Sequence, residues 1–310
     1  MTRINRFIFT LPFLCLLMAF QAKADPGIYP LPPDDVDIVG ELRSVTVAEG
    51  ETLLDIGRRY GVGYEEMQRA NPDVSMWVPD AGTVVTVPTR HILPPGPRKG
   101  LVLNVAEMRL YYYPEAKPGQ PRVVETYPVS IGRMDWRTPI GQTTVTAKQK
   151  NPSWYPPQSI KMEAKADGIT IPDVVPPGPD NPLGTRVLRL GMPAYLIHGT
   201  NNPWGVGMRV THGCVRMYPE DIESLFERVP VNTAVQIINE PVKAGWFGGA
   251  LYLEVHPVLE EHKEDMPLLS HVVERIAPIL GEHGRVDLAK VKAALAGETG
   301  LPVSISRSSI

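Results

Sequence analysis

The spacing of apolar and polar residues changes several times along the chain. Between residues 43 and 89, a short alternating strand is followed by apolar residues at helical spacing, namely Leu53, Ile56 and Tyr60. Gly61 ends this predicted helix, a second short helix follows, and an apolar run closes the segment. The pattern therefore predicts a compact β-α-α-β unit over residues 43–89.

Short strands predominate after the Pro- and Gly-rich linker at residues 90–99, where we expect a domain boundary. The first two strands are predicted to form a hairpin with a two-residue turn at Ala106-Glu107. Residues 151–184 hold eight prolines and show little periodicity, which favours a functional lid or substrate-binding loop. The predicted strands are Leu101–Val105, Met108–Tyr113, Val123–Ile131, Thr143–Ala147, Arg186–Leu190, Ala194–His198, Val235–Ile238 and Leu251–Val255.

Helical spacing returns in two later parts of the chain. Pro219 is followed by two acidic residues, which is typical of the first turn of a helix. From Pro267 onward apolar residues again recur at helical spacing, and Pro278 is expected to kink or split the first helix. We expect residues 241–310 to be a C-terminal strand and helical subdomain, and residues 25–42 to be an extended lead-in.

The first 24 residues have the pattern of a cleaved secretory signal peptide. Basic residues precede an apolar run at Phe7–Phe20, and small residues precede a cut after Ala24. This run is short for a transmembrane helix, and no later stretch is apolar enough to span a membrane. We therefore expect a protein of the periplasm with no membrane span.

Charge and cysteine content narrow the possible functions. The net charge is −3 and no basic run occurs, which argues against nucleic acid as a partner. Cleavage of the signal peptide would remove Cys15 and leave Cys214, so an intramolecular disulfide is excluded. A lone thiol in an oxidising compartment is expected either to be buried or to have a functional role.

Two histidines lie close to Cys214 in the sequence. His198 ends an apolar strand, and a loop of 12 residues rich in Gly and Asn returns the chain to His212 and Cys214. If the two segments are neighbours, His198 can take the thiol proton, and Gly213 lets backbone amides turn toward an oxyanion. Arg216 alternates with Cys214 and is expected to face the same side, where it can bind a substrate carboxylate.

Two other interpretations stay open from the residues alone. His198, His212 and Cys214 are candidate zinc ligands, although no fourth ligand lies at metal spacing. Cys214 can also be a buried structural cysteine beside a core histidine. A papain-like protease is disfavoured, because that family places its cysteine before its histidine.

The segment around the cysteine resembles the signature of the YkuD-type L,D-transpeptidases. Ile-His-Gly-Thr at 197–200 is followed by a spacer and by Thr-His-Gly-Cys at 211–214, and Thr-Pro-Ile-Gly at 138–141 also matches the family. This resemblance covers residues 98–240. Residues 43–89 resemble a LysM module, which implies binding of glycans such as peptidoglycan. The implied fold is a mostly β, β-sandwich-like catalytic domain with a small LysM domain and a helical C-terminal appendage.

Among such enzymes, the chain is most similar to those of the periplasm that attach a Braun-type lipoprotein to peptidoglycan. The resemblance implies that Cys214 forms a thioester with the meso-diaminopimelate carbonyl of a tetrapeptide stem, releases D-Ala, and transfers the acyl group to the C-terminal lysine of the lipoprotein. His198 is the implied proton donor and acceptor, with His212 and Gly213 at the oxyanion region or His212 orienting the loop. No metal and no cofactor is expected. The implied substrate-binding residues are Tyr195, Thr200, Thr211 and Arg216, the last at a position where the family often has Asn.

Several other functions fit the same residues. A transpeptidase that forms 3-3 cross-links would use another stem's diaminopimelate as the amine. An L,D-carboxypeptidase or a lipoprotein-releasing hydrolase would use water. A non-catalytic peptidoglycan-binding scaffold would use the LysM module alone.

Overall fold

The computed structural model describes residues 27–281 and 284–306. The predicted signal peptide at residues 1–24 lies outside this range. No helix within the described ranges is both long and apolar enough to cross a membrane.

The N-terminal part confirms the predicted β-α-α-β order. A capping box begins the first helix, since the Thr52 hydroxyl accepts from the Asp55 amide at 3.1 Å and the Asp55 carboxylate accepts from the Thr52 amide at 3.0 Å. Gly61 ends that helix in the left-handed region, with φ of 66°. The elements are β1 (Ile28–Pro30), β2 (Ile38–Val39), β3 (Leu42–Thr46), α1 (Leu53–Tyr60), α2 (Tyr64–Ala70), β4 (Val84–Pro88) and β5 (His91–Ile92).

The middle part is mostly β, as predicted. Its elements are β6 (Gly100–Asn104), β7 (Arg109–Tyr113), β8 (Val123–Gly132), β9 (Gly141–Lys150), α3 (Gln158–Ala166), β10 (Arg186–Leu190), β11 (Leu196–His198), β12 (Arg209–Thr211), β13 (Val215–Met217), α4 (Pro219–Arg228) and β14 (Ala234–Ile238).

Eight of these strands pair in a closed circuit, which we call the ring. Their order is β8-β13-β11-β10-β9-β14-β6-β7 and back to β8. The sheet is therefore barrel-like, whereas the sequence led us to expect a sandwich-like layout of two sheets, because strand pairing continues around the whole core. Buried apolar side chains fill the interior, and α4 packs three of its own against them, Ile222, Leu225 and Phe226. The core therefore fixes the strand ends that carry the candidate site.

Three local features add to or change what the sequence predicted. The β6–β7 hairpin has a four-residue connection in which Met108 has a φ of 54°, instead of a two-residue turn. The lead-in, expected to be extended, contains two short strands that pair with later ones, β1 with β8 and β2 with β5. The segment at residues 151–184, predicted to be a lid or substrate-binding loop, contains helix α3, which buries none of its residues.

The C-terminal part is a three-stranded sheet packed on two helices. Its elements are β15 (Val242–Phe247), β16 (Ala250–Val255), α5 (Leu268–Leu280), α6 (Leu288–Gly297) and β17 (Val303–Ser304). Pro278 does not split α5, because it lies in the last turn and removes a single backbone donor.

A buried ionic network joins this C-terminal sheet to the ring of strands. The Lys243 ammonium donates to the Glu107 carboxylate at 2.6 Å and to the carbonyl of Ile92 at 2.7 Å, and it lies 2.7 Å from Glu254. Burial of this ammonium favours its neutral form, but the two carboxylates outweigh that effect and raise the pKa of Lys243. Lys243 therefore stays charged inside the protein.

A second buried ion pair joins the N-terminal unit to the ring. The Arg109 guanidinium donates to Glu66 of α2 at 2.7–3.0 Å through three contacts, and also to the Gly61 carbonyl at 3.1 Å. Arg109 is fully buried. Bidentate geometry of this kind fixes orientation as well as distance, so the two domains are held in one arrangement.

Candidate active site

The candidate site forms where two parallel strands of the ring lie side by side. β11 pairs with β13 so that Ile197 faces Val215 and His198 faces Arg216. Ile197 and Val215 point into the apolar core. Because side chains alternate along a strand, His198 and Arg216 lie together on the opposite face, and Cys214 directly precedes β13. The fold thus brings together the segments that the sequence predicted to be neighbours.

His198 is held in one tautomer. Its Nδ1 lies 2.6 Å from the Gly199 carbonyl, which can only accept, so Nδ1 carries the proton and Nε2 is the basic nitrogen. Burial, and then the charge of Arg216, lower the pKa of His198 to about 4. At neutral pH the imidazole is therefore neutral and ready to accept a proton.

Cys214 is partly exposed and carries its proton in the resting protein. Its Sγ–H donates to the Ala194 carbonyl at 3.5 Å. Burial raises the pKa of the Cys214 thiol, an effect that a backbone hydrogen bond from Leu196 partly offsets. The pair is thus a neutral thiol and a neutral imidazole, which fits general-base activation of a nucleophile better than a preformed thiolate.

Gly213 provides the sharp turn before the cysteine. Its φ is 97°, and a Cβ at this position would lie 3.0 Å from the Tyr195 ring. The Thr138 hydroxyl donates to the Gly213 carbonyl at 2.9 Å and accepts from the Gly132 amide at 3.0 Å. The Thr-Pro-Ile-Gly segment noted in the sequence therefore supports the backbone of the cysteine loop.

His212 faces helix α3. Its Nε2 lies 2.9 Å from the Glu163 carboxylate of α3, and its ring packs edge-on against Trp136 at 5.1 Å between centroids. Glu163 also pairs with Arg133, and hydrogen bonds from Arg133 and then His212 lower the pKa of this carboxyl. This geometry favours the loop-orienting role for His212 over a place in the oxyanion region.

Arg216 is a half-buried cation beside His198. Its Nε is buried and has no hydrogen-bond partner among the described residues, and burial lowers the pKa of the guanidinium. An unpaired cation next to the candidate nucleophile can bind an anion, so the predicted role in carboxylate binding fits this environment.

The other predicted substrate-binding residues shape the loop backbone. Thr200 accepts from the Asn202 amide at 2.9 Å, and Thr211 donates to the Cys214 carbonyl at 2.6 Å. The Tyr195 hydroxyl lies 3.5 Å from the Arg137 carbonyl. Their direct contact with substrate stays a prediction.

Two contacts at the site were missed by the sequence reasoning. Glu163 was not identified because its partner His212 is 49 residues away along the chain. The Ala194 carbonyl was missed because a backbone acceptor leaves no signal in the residue type, although Ala194 has an unusual φ of 70°.

The zinc alternative requires His198, His212 and Cys214 to converge, but the two histidines bond to different partners. Among the described residues, the ligand atoms of Glu107, Glu254 and His256 lie within 4.8 Å of one another. That cluster already surrounds the Lys243 ammonium and belongs to the buried network, apart from the cysteine.

Comparisons with known proteins show which families the sequence of this chain matches. Residues 98–237 match the L,D-transpeptidase catalytic domain, YkuD, and residues 45–88 match the LysM domain. The chain is 39% identical over 317 residues to "Probable L,D-transpeptidase YcfS" of Escherichia coli K12, covering 100% of this chain and 97% of that protein. It is 41% identical over 288 residues to "Probable L,D-transpeptidase ErfK/SrfK" of the same strain, covering 91% of each.

Solved structures also resemble part of the chain. L,D-transpeptidase 3 of Mycobacterium tuberculosis at 1.32 Å resolution is 18% identical, with a TM-score of 0.32, covering 52% of this chain and 72% of that chain.

Proposed function

Because the chain belongs to the YkuD family of L,D-transpeptidases and carries a LysM domain, we propose that Cys214 is its acyl-accepting nucleophile. The observation that carries this proposal is the parallel pairing of β11 and β13. It places a tautomer-fixed, neutral His198 beside the strand that begins after Cys214.

In the first half-reaction, His198 Nε2 takes the thiol proton while Sγ attacks the carbonyl of meso-diaminopimelate in a tetrapeptide stem. The C–N bond to D-Ala breaks, and His198 returns the proton to the leaving amine. Amides beside Gly213 would stabilise the oxyanion, and Arg216 would bind a carboxylate of the stem.

In the second half-reaction, an amine attacks the thioester. His198 takes the amine proton and returns it to the departing Cys214 sulfur. We assign the amine to the C-terminal lysine of a Braun-type lipoprotein, on the likeness of the Cys-Val-Arg segment at 214–216 to the lipoprotein-attaching subgroup. The signal-peptide pattern supports action in the periplasm, and the LysM domain supports binding to the glycan of peptidoglycan.

Intact-mass spectrometry with a carbapenem tests the nucleophile. We expect one covalent adduct on Cys214 in the wild type and none in Cys214→Ala, because the thiolate opens the lactam C–N bond and becomes acylated. An unmodified wild type would refute the proposal.

Muropeptide analysis with and without the lipoprotein tests the acceptor. Lipoprotein-linked stems would support the assignment. Formation of 3-3 cross-links would favour stem diaminopimelate, tripeptides alone would favour a hydrolase, and retention on peptidoglycan with no change in its muropeptides would favour the scaffold.

A further inference from the structure

The loop that separates the two halves of the catalytic motif is bound by the LysM domain. We call residues 199–208 the histidine–cysteine loop, since they connect His198 to the strand leading to the cysteine. The Tyr64 amide donates to the Val206 carbonyl at 3.0 Å, and the Glu65 amide donates to the Gly207 carbonyl at 3.2 Å. The first amides of a helix have no partner within it, and those of α2 find their acceptors in this loop.

The two backbones approach too closely for side chains. A Cβ on Gly63 would lie 2.8 Å from the Gly207 Cα, and a Cβ on Gly207 would lie 2.4 Å from the Tyr64 nitrogen. Gly207 also has a φ of 87°, which disfavours any other residue. The contact therefore requires glycine on both sides.

The LysM side of this contact cannot tilt independently of the ring. Glu66, one residue beyond the second donor, accepts from the Gly63 amide at 2.8 Å and forms the buried ion pair with Arg109. Removing one partner of a buried ion pair is strongly destabilising, so the start of α2 is fixed relative to the strands.

On its other side, the histidine–cysteine loop lies against the candidate carboxylate-binding group. The Gly205 carbonyl accepts from the Ser130 hydroxyl at 2.6 Å. A Cβ on Gly205 would lie 3.7 Å from an Arg216 guanidinium nitrogen, and Arg216 is the strand partner of His198. Residues 205–207 therefore lie between the start of α2 and the Arg216 guanidinium.

We propose that the first turn of α2 positions Arg216 for substrate by holding the histidine–cysteine loop, so that the LysM domain is part of the catalytic architecture. The positioning groups in this scheme are the backbone amides of Tyr64 and Glu65, and the missing side chain of Gly63 permits their close approach. The inference rests on the proposed function only where it assigns Arg216 to a substrate carboxylate.

A matched pair of substitutions in the full chain tests it. Tyr64→Pro removes the amide that binds Val206, and proline suits the first position of a helix. Gly63, with φ of −82° and ψ of 169°, already has the extended conformation that a following proline requires. Tyr64→Ala removes the same ring but keeps the amide, and is the control.

Three measurements are made on each variant: acylation by an anionic carbapenem, alkylation by neutral iodoacetamide, and hydrogen exchange in residues 199–208. For Tyr64→Pro we expect a fall of about tenfold in the acylation rate constant, mainly through weaker initial binding, since a displacement of about 1 Å can cost up to about 100-fold. Exchange in the loop rises and iodoacetamide alkylation is unchanged. Tyr64→Ala behaves as the wild type.

Equal acylation and equal loop exchange in the two variants would overturn the inference. A wild type that no carbapenem acylates would instead refute the proposed function, and the exchange measurement would still decide whether α2 holds the loop. Should Tyr64→Pro fail to fold by circular dichroism, Gly63→Ala replaces it, because its methyl group is directed at the Gly207 Cα.

Discussion

Replacing Arg216 by methionine tests the electrostatics of the site. The substitution keeps an unbranched side chain of similar length and removes the charge that faces His198 across the β11–β13 pair. The prediction is that the pKa of His198 rises toward its usual value, while binding of anionic substrate weakens because the guanidinium is lost.

The magnitude follows from the three contributions to the pKa of His198. Its fall from 6.5 to about 4 has burial as its largest cause, with Arg216 second and the Gly199 hydrogen bond opposing both. One pKa unit corresponds to about 1.4 kcal/mol. Because Arg216 contributes less than burial does, its removal should raise the pKa of His198 by about one unit, or about 1.4 kcal/mol.

Nitrogen NMR titration of His198 measures this shift directly, with a His198→Gln variant to assign the resonance among the seven histidines. The acylation rate should depend on the protonation of His198, because only its neutral imidazole can accept the thiol proton. The acidic limb of the rate profile should therefore move from near pH 4 to about one unit higher. Arg189→Met, which removes an exposed arginine of β10, is the control and should shift neither value. An unchanged or lower pKa of His198 in Arg216→Met would refute this account.

Two further substitutions probe ion pairs near the site. Glu66→Gln should lower the free energy of unfolding by about 2–3 kcal/mol in chemical denaturation, because it leaves Arg109 buried with weaker hydrogen bonds. Glu65→Gln, which weakens only the partly buried pair with Arg69 within α2, should cost about 0.5 kcal/mol, and equal losses in the two variants would contradict the prediction. Glu163→Gln should speed hydrogen exchange in α3 at neutral pH, where the wild-type carboxylate is ionised and bonded to His212. The pKa of Glu163 is lowered in the folded protein. The exchange rate of the wild type should therefore rise to that of the variant only as the pH falls through the pKa of Glu163. A difference that does not depend on pH would show that the His212–Glu163 contact is not the cause.

The candidate site could be predicted in outline because its residues lie on regular strands. His198 ends an apolar strand, and Cys214 and Arg216 stand two residues apart in a later segment. Assuming that these two segments are neighbours was enough to bring the three residues together. The partner of His212 could not be found this way. Glu163 lies on a short helix that buries no residue, inside a proline-rich segment that the sequence predicted to be a loop.

The fold was predictable where local patterns and burial agree, as in α1, with its capping box and glycine end. Strand β15 was missed because its sequence, Val-Lys-Ala-Gly-Trp-Phe, places a lysine in the interior. Only the partners of Lys243, from distant parts of the chain, explain that burial. The binding of α2 to the histidine–cysteine loop was also unpredictable, since two backbones make it and the residue types show only glycines.

The Lys243 network has a consequence for the order of folding. Glu107 and Tyr111 belong to the β6–β7 hairpin, whereas their ammonium partner is more than 130 residues later in the chain. Chains are synthesised from the N-terminus, so the hairpin is complete long before Lys243 is available. Until then the Glu107 carboxylate must remain in contact with water, and the hairpin cannot reach its final buried position. Docking of the C-terminal sheet is therefore expected to be a late folding step that joins very distant segments, and truncation before residue 243 should trap an open precursor rather than yield a smaller enzyme.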